Sequence, residues 1–274
     1  MIKPLQQDDA LLAEVAAVRA QAPERLNLWW LGQSGFLVAY AGELMVFDPY
    51  LSDALTHKYA ATDKPHVRLT ERVVDPARLT GVSLVTSTHT HTDHLDAETL
   101  VPLLRASPGA RLVLPAANEA FAKKRLGEAW AEALLPIAPG ERRDVGPFSV
   151  ETVPAAHEEM SPEFVGFLVR AGRYCLYHSG DTLRYPGMAE LLRPRAIDVA
   201  LLPINGRAPE RRVAGNLDGP EAAQLAHDIG ARWVVPCHYE LFAFNTASPA
   251  PFVATCARLG QPCVVLRAGE RWQV

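Results

Sequence analysis

The sequence predicts a single α/β domain, and three observations carry that prediction. Short β-branched and aromatic runs recur along the 274 residues, amphipathic helical patterns separate them, and several runs end in polar clusters rich in His and Asp. Hydrophobic content of 49% and charged content of 21% belong to an ordinary globular chain, long enough to bury a large core. No repeat or low-complexity tract divides it, so residues 1–274 are expected to form one domain.

The first element is helical. Leu11, Val15 and Val18 repeat at i, i+4 and i+7 behind Asp8 and Asp9, which predicts an amphipathic helix within residues 1–24, ending before Pro23 and packed on the outside. Three β-rich runs follow at 27–31, 35–40 and 43–48, and the Gly-containing turns between them predict an antiparallel opening. From 51 to 79 periodicity fades, and the segment carries His57, Lys58, Tyr59, Lys64, His66, Arg68 and Arg72. Long irregular insertions in compact domains are usually functional. Residues 51–79 therefore read as a candidate lid whose basic groups would meet an anionic substrate, with a solvated surface loop as the plain alternative.

A strand at 82–86 leads into Ser87-Thr88-His89-Thr90-His91-Thr92-Asp93-His94-Leu95-Asp96, and Asp96 is placed to cap a helix over 97–105. Beyond it come a strand at 111–114, a helix at 117–126, and a strand at 148–153 that runs toward His157. Runs at 164–170 and 173–177 form a hairpin around Ala171-Gly172 and deliver His178-Ser179-Gly180-Asp181. A buried strand at 198–204 enters the polar loop Asn205-Gly206-Arg207, with Arg211, Arg212 and Asn216 following. Asp218, Pro220 and Glu221 then start a helix with the stripe Ala222, Leu225, Ala226 and Ile229, which Gly230 ends; His227 falls off the stripe and is expected exposed. A strand at 233–236 reaches His238, a helix covers 252–259, and strands at 263–266 and 272–274 finish the sheets.

The pattern H-x-H-x-D-H at 89–94 reads as a metal site. With nine His and thirteen Asp in the chain, it would arise by chance about five times in ten thousand such sequences. Imidazole and carboxylate donors suit zinc, manganese or iron, whereas calcium and magnesium prefer all-oxygen shells. No cysteine joins the cluster, which argues against a closed structural zinc site. The four cysteines, Cys175, Cys237, Cys256 and Cys263, are sparse and irregularly spaced, as expected of reduced thiols in a cytoplasmic protein. Cys237 reads as a small buried hydrophobe. A net charge of -4 gives no footprint for nucleic acid, and neither a signal-type apolar segment nor a membrane-spanning run is evident. A homo-oligomer is compatible with this composition.

The order of clusters at predicted strand ends, H-x-H-x-D-H, a lone His157, Gly180-Asp181 and a lone His238, resembles the metallo-β-lactamase superfamily from Trp29 to Cys263. Within it, Trp29-Trp30-Leu31-Gly32, residues 88–96, Leu176-Tyr177-His178-Ser179-Gly180-Asp181, 197–201 and Val235-Pro236-Cys237-His238 look like the L-ascorbate-6-phosphate lactonase branch. At His157 the chain follows the general superfamily pattern rather than that branch. The resemblance implies an αββα sandwich of two mixed sheets flanked by helices, with the site at one rim between the sheets. It also implies two divalent cations, manganese or zinc, the first on His89, His91 and His157, the second on Asp93, His94 and His238, with Asp181 bridging. Seven ligands shared by two ions leave positions open for water, as catalysis requires.

The activity so implied is hydrolysis of a lactone or related ester, a phosphorylated sugar acid being one candidate, by a metal-bridging hydroxide. Asp93 and Asp181 are then catalytic as well as ligating, and His178 is a candidate to donate to substrate or orient a ligand, against a structural histidine satisfied by backbone. Asn205, Arg207 and Asn216 are candidate substrate-binding residues, Arg207 as a bidentate clamp on phosphate or carboxylate. The alternative is a dinuclear phosphodiesterase or nuclease, for which only scattered Arg and Lys are available. A non-hydrolytic diiron protein is disfavoured because electron-transferring relatives carry an additional flavin domain for which this chain has no room, and a pure binding module because none of the seven ligands is missing.

Overall fold

The computed structural model describes residues 1–274. Helix α1 (Asp8–Gln21) buries Leu11, Val15 and Val18, the stripe read from spacing. Strands β1 (Asn27–Gly32), β2 (Gly35–Tyr40) and β3 (Glu43–Phe47) form the antiparallel opening. After helix α2 (Ala54–Tyr59) the chain turns parallel through β4 (Val82–Thr86), helix α3 (Ala97–Ala106), β5 (Arg111–Pro115), helix α4 (Glu119–Leu126) and β6 (Leu134–Ile137). The second half starts with β7 (Arg142–Val145), β8 (Phe148–Ala156), β9 (Met160–Ala171) and β10 (Tyr174–His178), all antiparallel. It continues through helix α5 (Met188–Leu192), β11 (Val199–Pro203), helix α6 (Gly219–Asp228), β12 (Trp233–Cys237) and helix α7 (Ala250–Leu259), and β13 (Arg271–Gln273) closes the chain.

These strands make two mixed sheets, ordered β13-β1-β2-β3-β4-β5-β6 and β12-β11-β10-β9-β8-β7, flanked by helices as the αββα expectation required. All six residues of β1, all five of β10 and β11, and the apolar end of β3 are buried. Such continuous apolar strands are covered on both faces. Trp29, Trp30, Phe36, Phe47, Phe148 and Phe167 are among the largest fully buried side chains of the core, together with several tyrosines and Phe252. Helix α6 begins with the capping box that Asp218 and Glu221 predict, and Asp96 accepts from the Glu98 N–H to cap α3.

Differences from the sequence reading have identifiable structural causes. Residues 263–266 are not a strand; only Cys263 bridges to Val234. Strand β7 carries Arg-Arg-Asp-Val and β6 contains Pro136, and both are edge strands, where charge and proline are tolerated and apolar alternation is not required. Helices α2 and α5 span six and five residues, too short for a helical period to register. Segment 51–79 is not an irregular loop: it contains α2 and is tied down by the Ile2–Thr70 bridge, the Leu69 N–H bond to Leu241 O, and Arg68 paired with Asp53. No helix among the described residues is long and apolar enough to cross a membrane.

The parallel strands of both sheets run their carboxyl ends to the same rim. Loops from β4, β10 and β12, and the end of β8, meet there, the usual place for a ligand site in an α/β protein.

Candidate metal centre

The loop after β4 is a compact turn, closed by the His94 and Leu95 N–H groups bonding to His91 O at 3.0 and 2.9 Å. Arg125 of α4 donates to Thr90 O and Leu95 O and fixes the turn from outside. Asp181 reaches the same space because Gly180 has φ +60, and a Cβ there would lie 2.7 Å from Val165 O and 2.8 Å from Thr88 Cβ. Only glycine meets both demands. His238 ends β12 with φ 62, a strained choice for a non-glycine residue, held by its N–H bond to Gln33 O at 2.9 Å.

Three overlapping donor groups result: His89, His91 and His157; His89, His94 and Asp181; and Asp93, His94 and His238, each with ligand atoms within 4.8 Å of one another. Asp181 sits between them, its carboxylate 3.4 Å from His94 Nε2, 3.3 Å from His238 Nε2 and 3.8 Å from His157 Nε2. Asp93 Oδ2 lies 3.5 Å from His238 Nε2. His89 Nε2, His94 Nε2 and Asp181 Oδ1 are buried without a hydrogen-bond partner. Orphaned polar atoms are rare and costly, and here they converge as nitrogen and oxygen donors suited to a divalent cation. The donor set fits a metal.

Supporting residues orient these donors. Asp48, fully buried, accepts from His94 Nδ1 at 2.7 Å, from Thr88 N at 3.0 Å and from the hydroxyls of Thr86 and Thr88. It therefore fixes the His94 tautomer with Nε2 free for an ion. Glu158 Oε1 lies 3.0 Å from His91 Nε2 and leaves Nδ1 facing His157 Nε2 at 3.3 Å. Gln33 Nε2 donates to Asp93 Oδ2 at 2.8 Å. In sequence, Asp48 reads as a strand end and Gln33 as a turn residue. The available signals were weak: an Asp-Pro step after a strand, and a polar residue in a glycine turn.

Burial keeps the imidazoles of His89 and His157 below their ordinary pKa, hence neutral and ready to ligate. Burial also opposes charge on His94 and His238, but Asp181 and Asp93 outweigh it, pushing His94 well up and His238 to about 9. Asp93 and Asp181 are held below the carboxylate range despite burial by His94 and His238. A raised histidine pKa means the proton is present at neutral pH and must leave before the nitrogen ligates. Metal loading at pH 7 is therefore expected to release one to two protons, and affinity to rise with pH until about 9. Titration calorimetry in buffers of different ionisation enthalpy checks this; a binding heat independent of buffer would contradict it.

The structure brings together all seven sequence-derived ligands and separates them from the other candidates. His178 is fully buried, with Nε2 2.8 Å from Ser34 O and Nδ1 accepting the Gly180 N–H at 3.1 Å. Both nitrogens serve backbone, which corrects the catalytic reading of His178 to a structural one that shapes the turn into Asp181. Asn205 and Asn216 are buried and bonded to each other at 3.0 Å, and Asn205 continues to Asn245 at 2.9 Å. Arg207 is also corrected: its guanidinium makes a bidentate pair with Glu221 at 2.6 and 2.7 Å, so its fork is committed to α6 rather than aimed at a substrate. Cys237 is a buried thiol pushed up by burial, and His227 is exposed.

A cavity of about 560 Å³ opens above the donors. Lys58, Lys64, Arg125 and Arg212 bring positive charge to its lining, and Leu55, Tyr59, Phe121 and Phe242 bring apolar surface. Segment 51–79 thus does border the site, through α2 and the residues after it.

Comparison with known proteins places these observations in a family. The model of the beta-lactamase superfamily domain matches residues 45–239. A UPF0173 metal-dependent hydrolase of Opitutus terrae is 30% identical, covering 91% of this chain and 100% of its own. One from Azorhizobium caulinodans is 29% identical over the same shares of the two chains. Among solved structures, Igni18, a metallo hydrolase of Ignicoccus hospitalis, superposes with a TM-score of 0.67 at 22% identity, covering 91% of this chain and 98% of the other. The metallo-beta-lactamase fold protein YhfI of Bacillus subtilis gives 0.64 at 16%, covering 91% and 100%.

Proposed function

We propose a substrate class from the premise that this chain belongs to the beta-lactamase superfamily, as one of its UPF0173 metal-dependent hydrolases: it hydrolyses a small anionic ester or lactone. The observation that carries the hydrolytic reading is the convergence of three donor groups, with their orphaned atoms, on the floor of one cavity. His89, His91 and His157 would hold one divalent cation, Asp93, His94 and His238 a second, with Asp181 shared. Cations so held supply Lewis acidity, lowering the pKa of a bound water and polarising the electrophile.

The chain's own residues do the rest. Asp48 and Glu158 orient His94 and His91 through their second ring nitrogens, and Gln33 steers the Asp93 carboxylate. Lys58 and Lys64 stand at the lining of the cavity, Lys64 tethered through its ammonium to Arg212 O at 2.7 Å. They favour an anion on the substrate, a phosphorylated sugar-acid lactone being one member of that class. The aromatic wall gives the remainder of the substrate a surface to pack on and excludes water.

The test is metal-stripped protein reconstituted with manganese or zinc and assayed on neutral lactones, phosphorylated sugar lactones, simple esters and an aryl phosphodiester. Hydrolysis of acyl substrates, with about tenfold preference for the anionic ones from one favourable charge contact of about 1.4 kcal/mol, is expected. Cleavage of the phosphodiester alone would move the reading to phosphoryl transfer.

A further inference from the structure

His66 lies in the cavity lining with the donors but ligates nothing. Among the described lining residues it is the one imidazole outside the ligand set; His91, His157 and His238 all belong to it. Its ring is held from several sides. Tyr59 stacks on it with centroids 4.5 Å apart, Phe242 meets it edge-on at 5.2 Å, and Phe244 tilts against it at 5.1 Å. Its backbone is fixed as well, since the Thr56 hydroxyl donates to His66 O at 2.8 Å. The Nδ1 atom lies 2.9 Å from Lys64 O. A carbonyl only accepts, so Nδ1 carries the hydrogen and Nε2 keeps a lone pair.

This is an immobilised imidazole of defined tautomer, facing a cavity whose floor is a metal-ligand cluster. From these contacts we infer that His66 is the proton shuttle of the hydrolysis, taking the proton of the attacking water at Nε2 and returning it to the leaving oxygen. The inference rests on the acyl-hydrolase reading above. As the water oxygen bonds to the acyl carbon, the proton it sheds passes to the Nε2 lone pair. As the bond from that carbon to the leaving oxygen breaks, its electron pair stays on the oxygen, which takes the proton from Nε2. One acid and one alcohol result, and His66 returns to neutral.

The surroundings support a neutral resting ring. Partial burial lowers the pKa of His66, and the Lys58 ammonium on α2 and His238 act in the same direction, while Asp93 and the Lys64 carbonyl oppose them. Lys64 stands on the same segment, and the side packed by Phe242 and Phe244 carries no charge on those two rings. A base poised below neutrality is free to accept a proton across the physiological range. Among the rings of this aromatic cluster, His66 alone brings a proton acceptor to the cavity lining.

The experiment compares His66→Gln with the wild-type holoenzyme on two acyl substrates, an alkyl ester or lactone with a poor leaving group and an aryl ester with a good one. Removal of the proton from water serves both substrates, whereas its delivery matters only for the poor leaving group, so kcat/KM is expected to fall about 10²-fold on the alkyl substrate and by a smaller factor, about tenfold, on the aryl ester. Equal losses on both substrates would show that no proton is delivered to the leaving oxygen and would overturn the shuttle. No hydrolysis of either ester by the wild type would instead reject the acyl-hydrolase reading, and the shuttle with it. An independent readout is the nitrogen-detected NMR spectrum of the ring at pH 7, expected to show Nδ1–H with Nε2 unprotonated. The Nε2–H tautomer would overturn the inference whatever the kinetics.

Discussion

Asp181→Asn is expected to lower activity about 10²- to 10³-fold and to cost the protein most of its bound metal, while the fold survives. The amide has the shape of the carboxylate but not its charge, and it offers one acceptor oxygen where two are used. Asp181 stands within 3.8 Å of histidines from both outer donor groups, so neutralising it weakens both at once. It also removes the negative charge that lifts His94 and His238. Those histidines then hold their protons less tightly, and this partial gain for metal binding is smaller than the loss of an anionic ligand. Elemental analysis after gel filtration, alongside the kinetic assay, measures both effects. Retention of wild-type metal and rate would show that Asp181 is not a ligand.

Asp48→Ala should damage stability and metal affinity together. The carboxylate is fully buried and accepts from four donors, one of them the His94 ring. Its removal strands those donors in a water-free interior, a cost of about 3–5 kcal/mol by analogy with breaking a buried pair. It also frees His94 to turn, which weakens ion binding about 10- to 100-fold. Urea unfolding of the metal-free protein isolates the first effect, and competition against a chelator the second. Unfolding midpoints that coincide with the wild type would mean the four bonds are replaced, contrary to this account.

Ligands and their supports differed in how well the sequence revealed them. His89, His91, Asp93 and His94 lie within six consecutive positions, and so dense a local pattern of metal-binding side chains seldom arises without a metal to hold. Strand β4 before them and the Asp96 cap after them are likewise local. His157, Asp181 and His238 were legible only as an ordered series at strand ends, through resemblance. Asp48 was not legible, because its role depends on a partner 46 positions away. Arg207 was misread for the opposite reason. Its partner Glu221 already had a local task in the capping box, and the same carboxylate takes both the Asp218 N–H and the guanidinium. His66 stands out in sequence only as one of several basic groups, because two of its three ring contacts, Phe242 and Phe244, lie far along the chain. The lid reading of 51–79 identified a border of the cavity and missed its anchoring contacts, the Arg68–Asp53 pair within the segment and the Leu69 N–H bond to Leu241 O, the latter again long-range.

The division of the donor set between the two sheets has a mechanical side. Residues 27–137, with β13 added at one edge, build one sheet and contribute His89, His91, Asp93 and His94; residues 142–237 build the other and lead to His157, Asp181 and His238. An ion seated among them is a rivet through two plates. Its binding free energy adds to the grip of one sheet on the other, because only the docked arrangement presents the complete set of donors. A substitution deep between the sheets, far from any ligand, would then register first as a leak of metal, and the metal content of a variant becomes a gauge of how firmly the sandwich is closed.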